Sequence, residues 1–448
     1  MQLKRRKSGP PAAGREFGAA LATATCALLG TSAPAAVDAQ EIGQWHVDAA
    51  GLYYGEKDRV RDYSVSVLAK TQPFEDRLLS FTLSFDTLSG ASPNGAAPSA
   101  SPQLFSRPIT LTQTSGGGVV TGGGNFRVPA WVLPLDDRFQ DTRFAGSADW
   151  QRPLGRLGLV SFGGSLSTEH DYSHLGADAH MTHDFNTRNT TLSAGVEFSD
   201  DSVKPIGGSP LPFTALTESA PTIGGDRAKH VRDVLLGVTQ VFTQHTIGQL
   251  NYSVSRADGY LTDPYKILSV VDPVTGNLMP GPDAGIGLYL YEQRPDSRNK
   301  QSLFGLLKHD FGGNVLDGSL RFMTDDWGVD SQTLDVHYRW NFAGAKFFEP
   351  HVRFYKQTAA DFYHTVLLAG SPVPAYATAD DRLGQFNAVT VGVKYGAKTS
   401  VGQFAARVEL YRQTATPSSD SLVGSLRNLD LTPDLKAIIA EISYKFGR

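Results

Sequence analysis

Ile438-Ile439-Ala440-Glu441-Ile442-Ser443-Tyr444-Lys445-Phe446 is the stretch whose reading decides the fold class. Successive side chains of a strand point to opposite faces. Ile438, Ala440, Ile442, Tyr444 and Phe446 therefore share one face, and Ile439, Glu441, Ser443 and Lys445 share the other. The same alternation recurs upstream. In 79–86, Leu79, Phe81, Leu83 and Phe85 oppose Ser80, Thr82, Ser84 and Asp86; in 333–342, Leu334, Val336, Tyr338, Trp340 and Phe342 oppose Thr333, Asp335, His337, Arg339 and Asn341. In 403–411, Phe404, Ala406, Val408 and Leu410 oppose Gln403, Arg407, Glu409 and Tyr411. A soluble sheet rarely encloses Arg, Asp, His and Glu, whereas the lumen of a barrel in lipid tolerates them. The pattern predicts an all-β fold, a transmembrane antiparallel up-and-down β-barrel, closed so that no backbone edge meets lipid.

Composition agrees. The chain has 448 residues, with 46 Gly, 24 Phe, 16 Tyr, 5 Trp and a single Cys, and a mean hydropathy of −0.22. Past the N-terminal region no run approaches eighteen apolar residues, which excludes a helical membrane protein. Lys4, Arg5, Arg6 and Lys7 precede an Ala/Leu-rich stretch over 17–29, and Val37-Asp38-Ala39 closes it, so 1–39 reads as a signal peptide and 40–448 as the exported barrel. Cys26 falls in the removed segment, which leaves the mature chain with neither disulfide nor thiolate ligand. Losing five basic and two acidic residues with that segment moves the net charge from −4 to −7, and no basic surface argues for nucleic acid. The expected location is the bacterial outer membrane, with its lipid as the main contact.

Fifteen strand candidates follow from alternation and turn signals: 44–55, 60–70, 77–88, 139–151, 156–172, 186–199, 229–243, 246–257, 297–311, 314–325, 329–342, 345–360, 384–396, 400–413 and 436–446. Short connections at 243–246, 311–314, 342–345 and 396–400 read as periplasmic turns alternating with longer extracellular segments. The alternation breaks at 200–228 from either direction, so a sixteenth strand is expected in that Pro/Gly-rich stretch, with fourteen strands as the fallback. Trp45, Tyr53, Tyr54, Trp150, Trp327, Tyr338, Trp340 and Tyr444 lie near strand ends, as interfacial girdles require. The long connection 89–138, with glycine runs at 116–118 and 122–124, reads as a flexible exposed lid or a segment folded into the lumen.

Five blocks carry a resemblance: 86–96 (DTLSGASPNGA), 133–137 (LPLDD) with 141–143 (DTR), 259–266 (GYLTDPYK), 325–328 (DDWG), and 353–357 (RFYKQ) running into 360–363 (ADFY). On these the chain resembles the bacterial domain-of-unknown-function family 3570 over essentially the whole mature length. The resemblance implies a predicted outer-membrane barrel and brings no catalytic residues. It also implies a periplasmic or lipoprotein partner, since members are encoded near a small lipoprotein and a periplasmic flavin transferase. The blocks are rich in Asp, Gly, Pro and Tyr, as turns and rims are. Asp86, Asp136, Asp137, Asp263, Asp325, Asp326 and Asp361 are thus rim candidates, either holding a hard cation such as Ca²⁺ or capping turns.

Two other groupings bear on chemistry. Asp335, His337, Arg339, Arg353, Arg407 and Glu409 fall on the polar face and are lumen candidates; their mixed signs define neither an anion nor a cation pore. His170, Asp171, His174, His180 and His183 lie close together in a segment read as a loop, and their types suit a divalent transition ion. No established cofactor follows. The leading expectation is a non-enzymatic barrel passing a small solute or metal species. A scaffold holding a redox or metal-handling partner is the alternative, and an outer-membrane hydrolase comes third because no nucleophile-elbow signature occurs.

Overall fold

The computed structural model describes residues 42–446 except 107–108, 115–116, 123–124, 206, 218–219, 284 and 343–344; the expected signal peptide lies outside them. Sixteen antiparallel strands close into one barrel. In chain order they are β1 Trp45–Glu56, β2 Val60–Phe74, β3 Arg77–Pro93, β4 Leu135–Leu154, β5 Gly158–Thr168, β6 Tyr172–Phe185, β7 Thr190–Val203, β8 Arg227–Thr243, β9 Thr246–Gly259, β10 Ser297–Asp310, β11 Val315–Asp325, β12 Asp330–Phe342, β13 Lys346–Gln357, β14 Gln385–Lys398, β15 Gly402–Thr416 and β16 Leu435–Phe446. Each pairs with its neighbours in sequence, and β1 closes on β16 from Val47↔Phe446 to Glu56↔Ala437.

The count of sixteen holds, but the missing strand is not in 200–228. That stretch is mostly the connection 204–226, and the overlooked strand is β6, the His-rich segment read as a loop. The candidate at 156–172 ends at Thr168 as β5, and that at 186–199 is β7.

The outer face is apolar. Leu83, Leu410 and Ile442 are 67%, 60% and 61% exposed, and Phe81, Trp340 and Val408 also point outward. Leaving one such side chain in water rather than burying it forfeits about 1.5–3 kcal/mol. Repeated around the ring, that cost requires lipid contact, so this is an outer-membrane barrel. Trp45, Trp150, Trp340 and Tyr444 sit towards the periplasmic ends of their strands. Two expected girdle residues do not belong to it: Trp327 is 4% exposed in a loop cluster, and Tyr54 faces inward, donating to Glu56 Oε1 at 2.7 Å.

One end has connections of two to four residues, among them the turns expected near 243–246, 311–314 and 396–400; of the turn at 342–345, residues 343–344 lie outside the described set. The other end carries the long connections and is therefore extracellular. It also holds the buried apolar clusters. Ala96 and Phe105 pack with Leu216, Ile267 and Tyr289; Ala97 and Val271 pack with Val366, Leu426 and Leu431. The strand Ile267–Val271 is buried throughout, pairing antiparallel with Tyr289–Tyr291 and parallel with Leu367–Leu368. Five connections thus fold into one cap.

The cap reaches across the mouth. Ile267 N–H donates to Asn94 O at 2.9 Å, Ala97 N–H to Ser269 Oγ at 3.0 Å, and Tyr289 OH to Gln103 Oε1 at 2.8 Å. These bonds join the connection after β3 to the one after β9, six strands away in the ring. Gly95 makes the approach feasible: its φ is +93°, and a Cβ there would lie 2.5 Å from Ile267 O. The long connection, shortened to 94–134, joins this cap and pairs with itself, Gln103–Ser106 with Asn125–Val128 and Ile109–Thr114 with Gly117–Gly122. Of the two glycine runs, Gly116, Gly123 and Gly124 lie outside the described residues.

Candidate functional site

The pleat of β12, β13, β15 and β16 turns every second side chain inward, and there the expected lumen residues gather. Asp335, His337 and Arg339 stand on β12, with Arg353 on β13 and Arg407 and Glu409 on β15. Strand register adds His351 and Glu349 and brings in Glu441, also expected on the inner face from its alternation. His351 is directly opposite His337, and Arg353 opposite Asp335; Glu349 stands on the inward face of β13, and Glu441 of β16 is opposite Arg407.

The contacts form a belt. His351 Nδ1 lies 2.8 Å from Glu409 Oε1 and its Nε2 3.3 Å from Asp335 Oδ2. His337 Nε2 lies 2.8 Å from Asp335 Oδ1 and its Nδ1 3.8 Å from Glu349 Oε1. The two imidazoles are parallel, with centroids 4.0 Å apart. Arg339 Nε donates to Glu349 Oε2 at 2.6 Å, and Arg407 Nη2 donates to Glu441 Oε2 at 2.6 Å. Accessibility grades inward from the wall: Arg407 is 9% exposed, His337 32% and Arg353 43%. Hence the lumen beside this wall has room for water. Further round the ring, Asp149, Asp178, Glu197 and Asp233 stand in matching register on β4, β6, β7 and β8.

The His-rich segment does not form the expected metal loop. Because it is a strand, His174 and His180 face inward about 20 Å apart by strand rise. His183 points outward against Phe185, and His170 lies exposed in the turn before β6. Asp171, in the same turn, accepts from Tyr265 OH at 2.6 Å. His174 belongs to a line across three strands: Ser165 Oγ is 3.0 Å from its Nε2, and Asp201 Oδ1 is 2.7 Å from its Nδ1. Asp201 also accepts from Tyr172 OH at 2.5 Å and pairs with Lys229 at 3.0 Å.

The rim aspartates support the cap and its foundations. Asp325 accepts from the backbone N–H groups of Trp327 and Val329 at 3.0 and 2.9 Å, and from Arg298 Nε at 2.8 Å. Asp326 binds Asn299 through its N–H and side-chain amide at 2.9 and 2.6 Å. Asp361 donates its N–H to Trp327 O at 2.8 Å, while its carboxylate fills the space at Gly328, whose φ is +83°. Asp86 accepts from Ser64 Oγ at 2.5 Å on the lumen wall. The side chains of Asp136 and Asp137 lie outside the described residues. Among the described residues, two clusters bring three potential metal-ligand atoms within 4.8 Å of one another, and Asp86, Asp263, Asp325, Asp326 and Asp361 are in neither.

Inside the cap lies an ionic network that alternation could not reveal. Glu292, with a fully buried side chain, is 2.6 Å from Arg294 Nε, and Arg294 Nη2 donates to Asp380 Oδ2 at 2.8 Å. Arg382 Nη2 donates to Asp380 at 2.6 Å and to Asp263 at 2.8 Å. Burial opposes ionisation of Asp380, yet the bonds and charge of Arg382, with Lys266 and Arg294 nearby, hold it well below the usual carboxylate range. Burial pushes the Glu292 carboxyl up despite Arg294. At the rim, burial and then Asp141 push the Glu169 carboxyl up to about 7.

A closed sixteen-strand ring, a lipid-facing apolar band and a charged lumen define the class: a bacterial outer-membrane β-barrel protein. Within that class, the chain belongs to the family described as Protein of unknown function (DUF3570), whose model matches residues 18–446. No curated protein matches the sequence. Similar solved structures include a mutant ferric enterobactin receptor from Pseudomonas aeruginosa in complex with enterobactin, at 11% identity and TM-score 0.41, covering 85% of this chain and 55% of the receptor. This chain thus spans about half that receptor's length. A bacterial polysaccharide outer membrane secretin is similar at 9% identity and TM-score 0.42, covering 92% of this chain and 100% of that one. OccK1 (OpdK) from Pseudomonas aeruginosa is similar at 8% identity and TM-score 0.37, covering 90% and 99% respectively.

Proposed function

We propose that the barrel passes a small hydrophilic solute across the outer membrane through its lumen, with the extracellular cap as the gate. One observation carries the reading. Polar side chains at the depth of the lipid-facing belt keep substantial exposure, 43% for Arg353 and 32% for His337, as a water-containing passage requires and a packed interior would not allow. Reconstituted protein should give stepwise conductance once the cap is loosened, and neutralising Arg339 or Arg407 should change its ion selectivity. Silence in every such variant would overturn the proposal.

A second reading rests on the cap itself. Hydrogen bonds joining connections six strands apart suit a closed sheath that holds a periplasmic or lipoprotein partner. That reading predicts stoichiometric co-purification with the partner and no conductance.

The protein is read as a conduit rather than an enzyme. Ser165, His174 and Asp201 are arranged as a nucleophile, base and orienting acid would be. However, they stand inside paired strands, where the neighbouring backbone N–H groups are committed to the β5–β6 and β6–β7 ladders. A backbone oxyanion hole needs donors free to meet the developing charge. Lys229 and Tyr172 on Asp201 give the line an adequate structural role.

A further inference from the structure

We propose that Asp335, His337 and His351 form a lumenal binding site for one divalent transition-metal ion. This is a different set of ligands from the His-rich segment around β6, and it is independent of whether solutes pass: a silent barrel could still bind the ion.

Ligand placement is the first argument. One carboxylate oxygen of Asp335 and one ring nitrogen from each histidine lie within 4.8 Å of one another. Two metal–ligand bonds of about 2.0–2.2 Å nearly span that separation, so small side-chain movements suffice. Two imidazoles with one carboxylate suit zinc, iron, cobalt, nickel or copper better than the hard cations Ca²⁺ and Mg²⁺, which prefer all-oxygen sites.

The arrangement behind the ligands is the second argument. Both histidines present Nε2 to Asp335; His351 Nδ1 hydrogen-bonds Glu409 at 2.8 Å, while His337 Nδ1 stands at ion-pair distance, 3.8 Å, from Glu349. A carboxylate behind a histidine fixes the tautomer that leaves the other nitrogen free for a metal and raises its basicity. Each glutamate is in turn held by an arginine, Glu409 by Arg407 at 3.5 Å and Glu349 by Arg339 at 2.6 Å. The two rings also stack in parallel, centroids 4.0 Å apart, beside the one carboxylate.

Access is the third. Asp335 is 22% and His337 32% exposed to the lumen, which leaves a coordination position open to water or to a passing ligand.

The test is metal loading of the full chain, folded in detergent and stripped with chelator, using Zn²⁺ for stoichiometry and Co²⁺ for the visible ligand-field spectrum of its histidine-bound form. One equivalent per chain is expected, with His337→Gln or His351→Gln weakening binding by at least 100-fold and abolishing the Co²⁺ spectrum. Glu409→Gln, which leaves all three ligands in place, should weaken binding 10–100-fold, and a His174→Gln/His180→Gln variant should bind as the parent does. Heat-modifiable gel mobility verifies that each variant is folded. Absence of a stoichiometric ion, or binding that survives His351→Gln in a folded barrel, overturns the proposal.

Discussion

Replacing Arg294 with methionine should open the cap and leave the barrel intact. The guanidinium, 10% exposed, stands between Glu292 and Asp380, whose side chains are 0% and 2% exposed. Removing it strands two buried acids with one cation fewer between them, and breaking a buried pair in this way costs about 3–5 kcal/mol. Glu292, already displaced towards its protonated form, takes up a proton and keeps the cost near the lower end. Each 1.4 kcal/mol is tenfold in an equilibrium, so amide exchange through cap opening should accelerate by roughly two to three orders of magnitude. Hydrogen exchange followed by mass spectrometry reads this directly. Peptides covering Ile267–Val271 should lose protection, while those from β12 and β13 keep theirs and the unboiled protein retains its fast gel mobility. Unchanged protection in 267–271 would refute the assignment of Arg294 as the keystone, and equal loss in β12 would refute a cap that opens separately from the barrel.

Other perturbations probe different parts of the structure. Gly95→Val should undock the connection 94–134, because a Cβ at that positive φ meets Ile267 O at 2.5 Å; protease sensitivity within that connection measures it, and a resistant variant would contradict the close approach. Val408→Arg, at a lipid-facing site that is 50% exposed, should destabilise the barrel by about 2–4 kcal/mol in urea-driven unfolding from lipid vesicles; a neutral result would mean that Val408 does not touch hydrocarbon. Glu169, whose usual value is 4.5, titrates in the folded chain at about 7, so folding retains a proton that the unfolded chain releases between those values. Stability therefore falls as pH rises across that window. Glu169→Gln should flatten this dependence in thermal melts, and an unaltered slope would place the titration elsewhere. Finally, Ser165 should resist fluorophosphonate labelling; labelling that disappears in Ser165→Ala and in His174→Gln would revive the hydrolase reading.

Where one physical rule governed a segment, the sequence was readable. Lipid on one side and water on the other impose the period of two that exposes β12, β15 and β16 in the bare sequence. The same rule faded at β6, whose outward face carries Ala177, Ala179 and His183 among Leu175, Met181 and Phe185, while its inward face holds Gly176 and His180. Weak apolarity outside and histidines inside made a strand look like a polar loop. Arg339 and Arg407 were legible by alternation, but His351 and Glu349 matter through the register of β13 against β12, which a one-dimensional pattern does not encode. The cap was legible only as motif blocks. Its core joins Ala96 to Ile267 and Glu292 to Asp380, contacts between residues far apart in sequence that neither propensity nor periodicity can pair.

The central claim, a water-containing lumen closed by a folded extracellular cap, is tested most directly by single-channel recording of the parent chain and the Arg294→Met variant in planar bilayers. Rare openings in the parent and frequent stepwise openings in the variant are expected. If both proteins insert and both remain electrically silent, there is no passage for the cap to close.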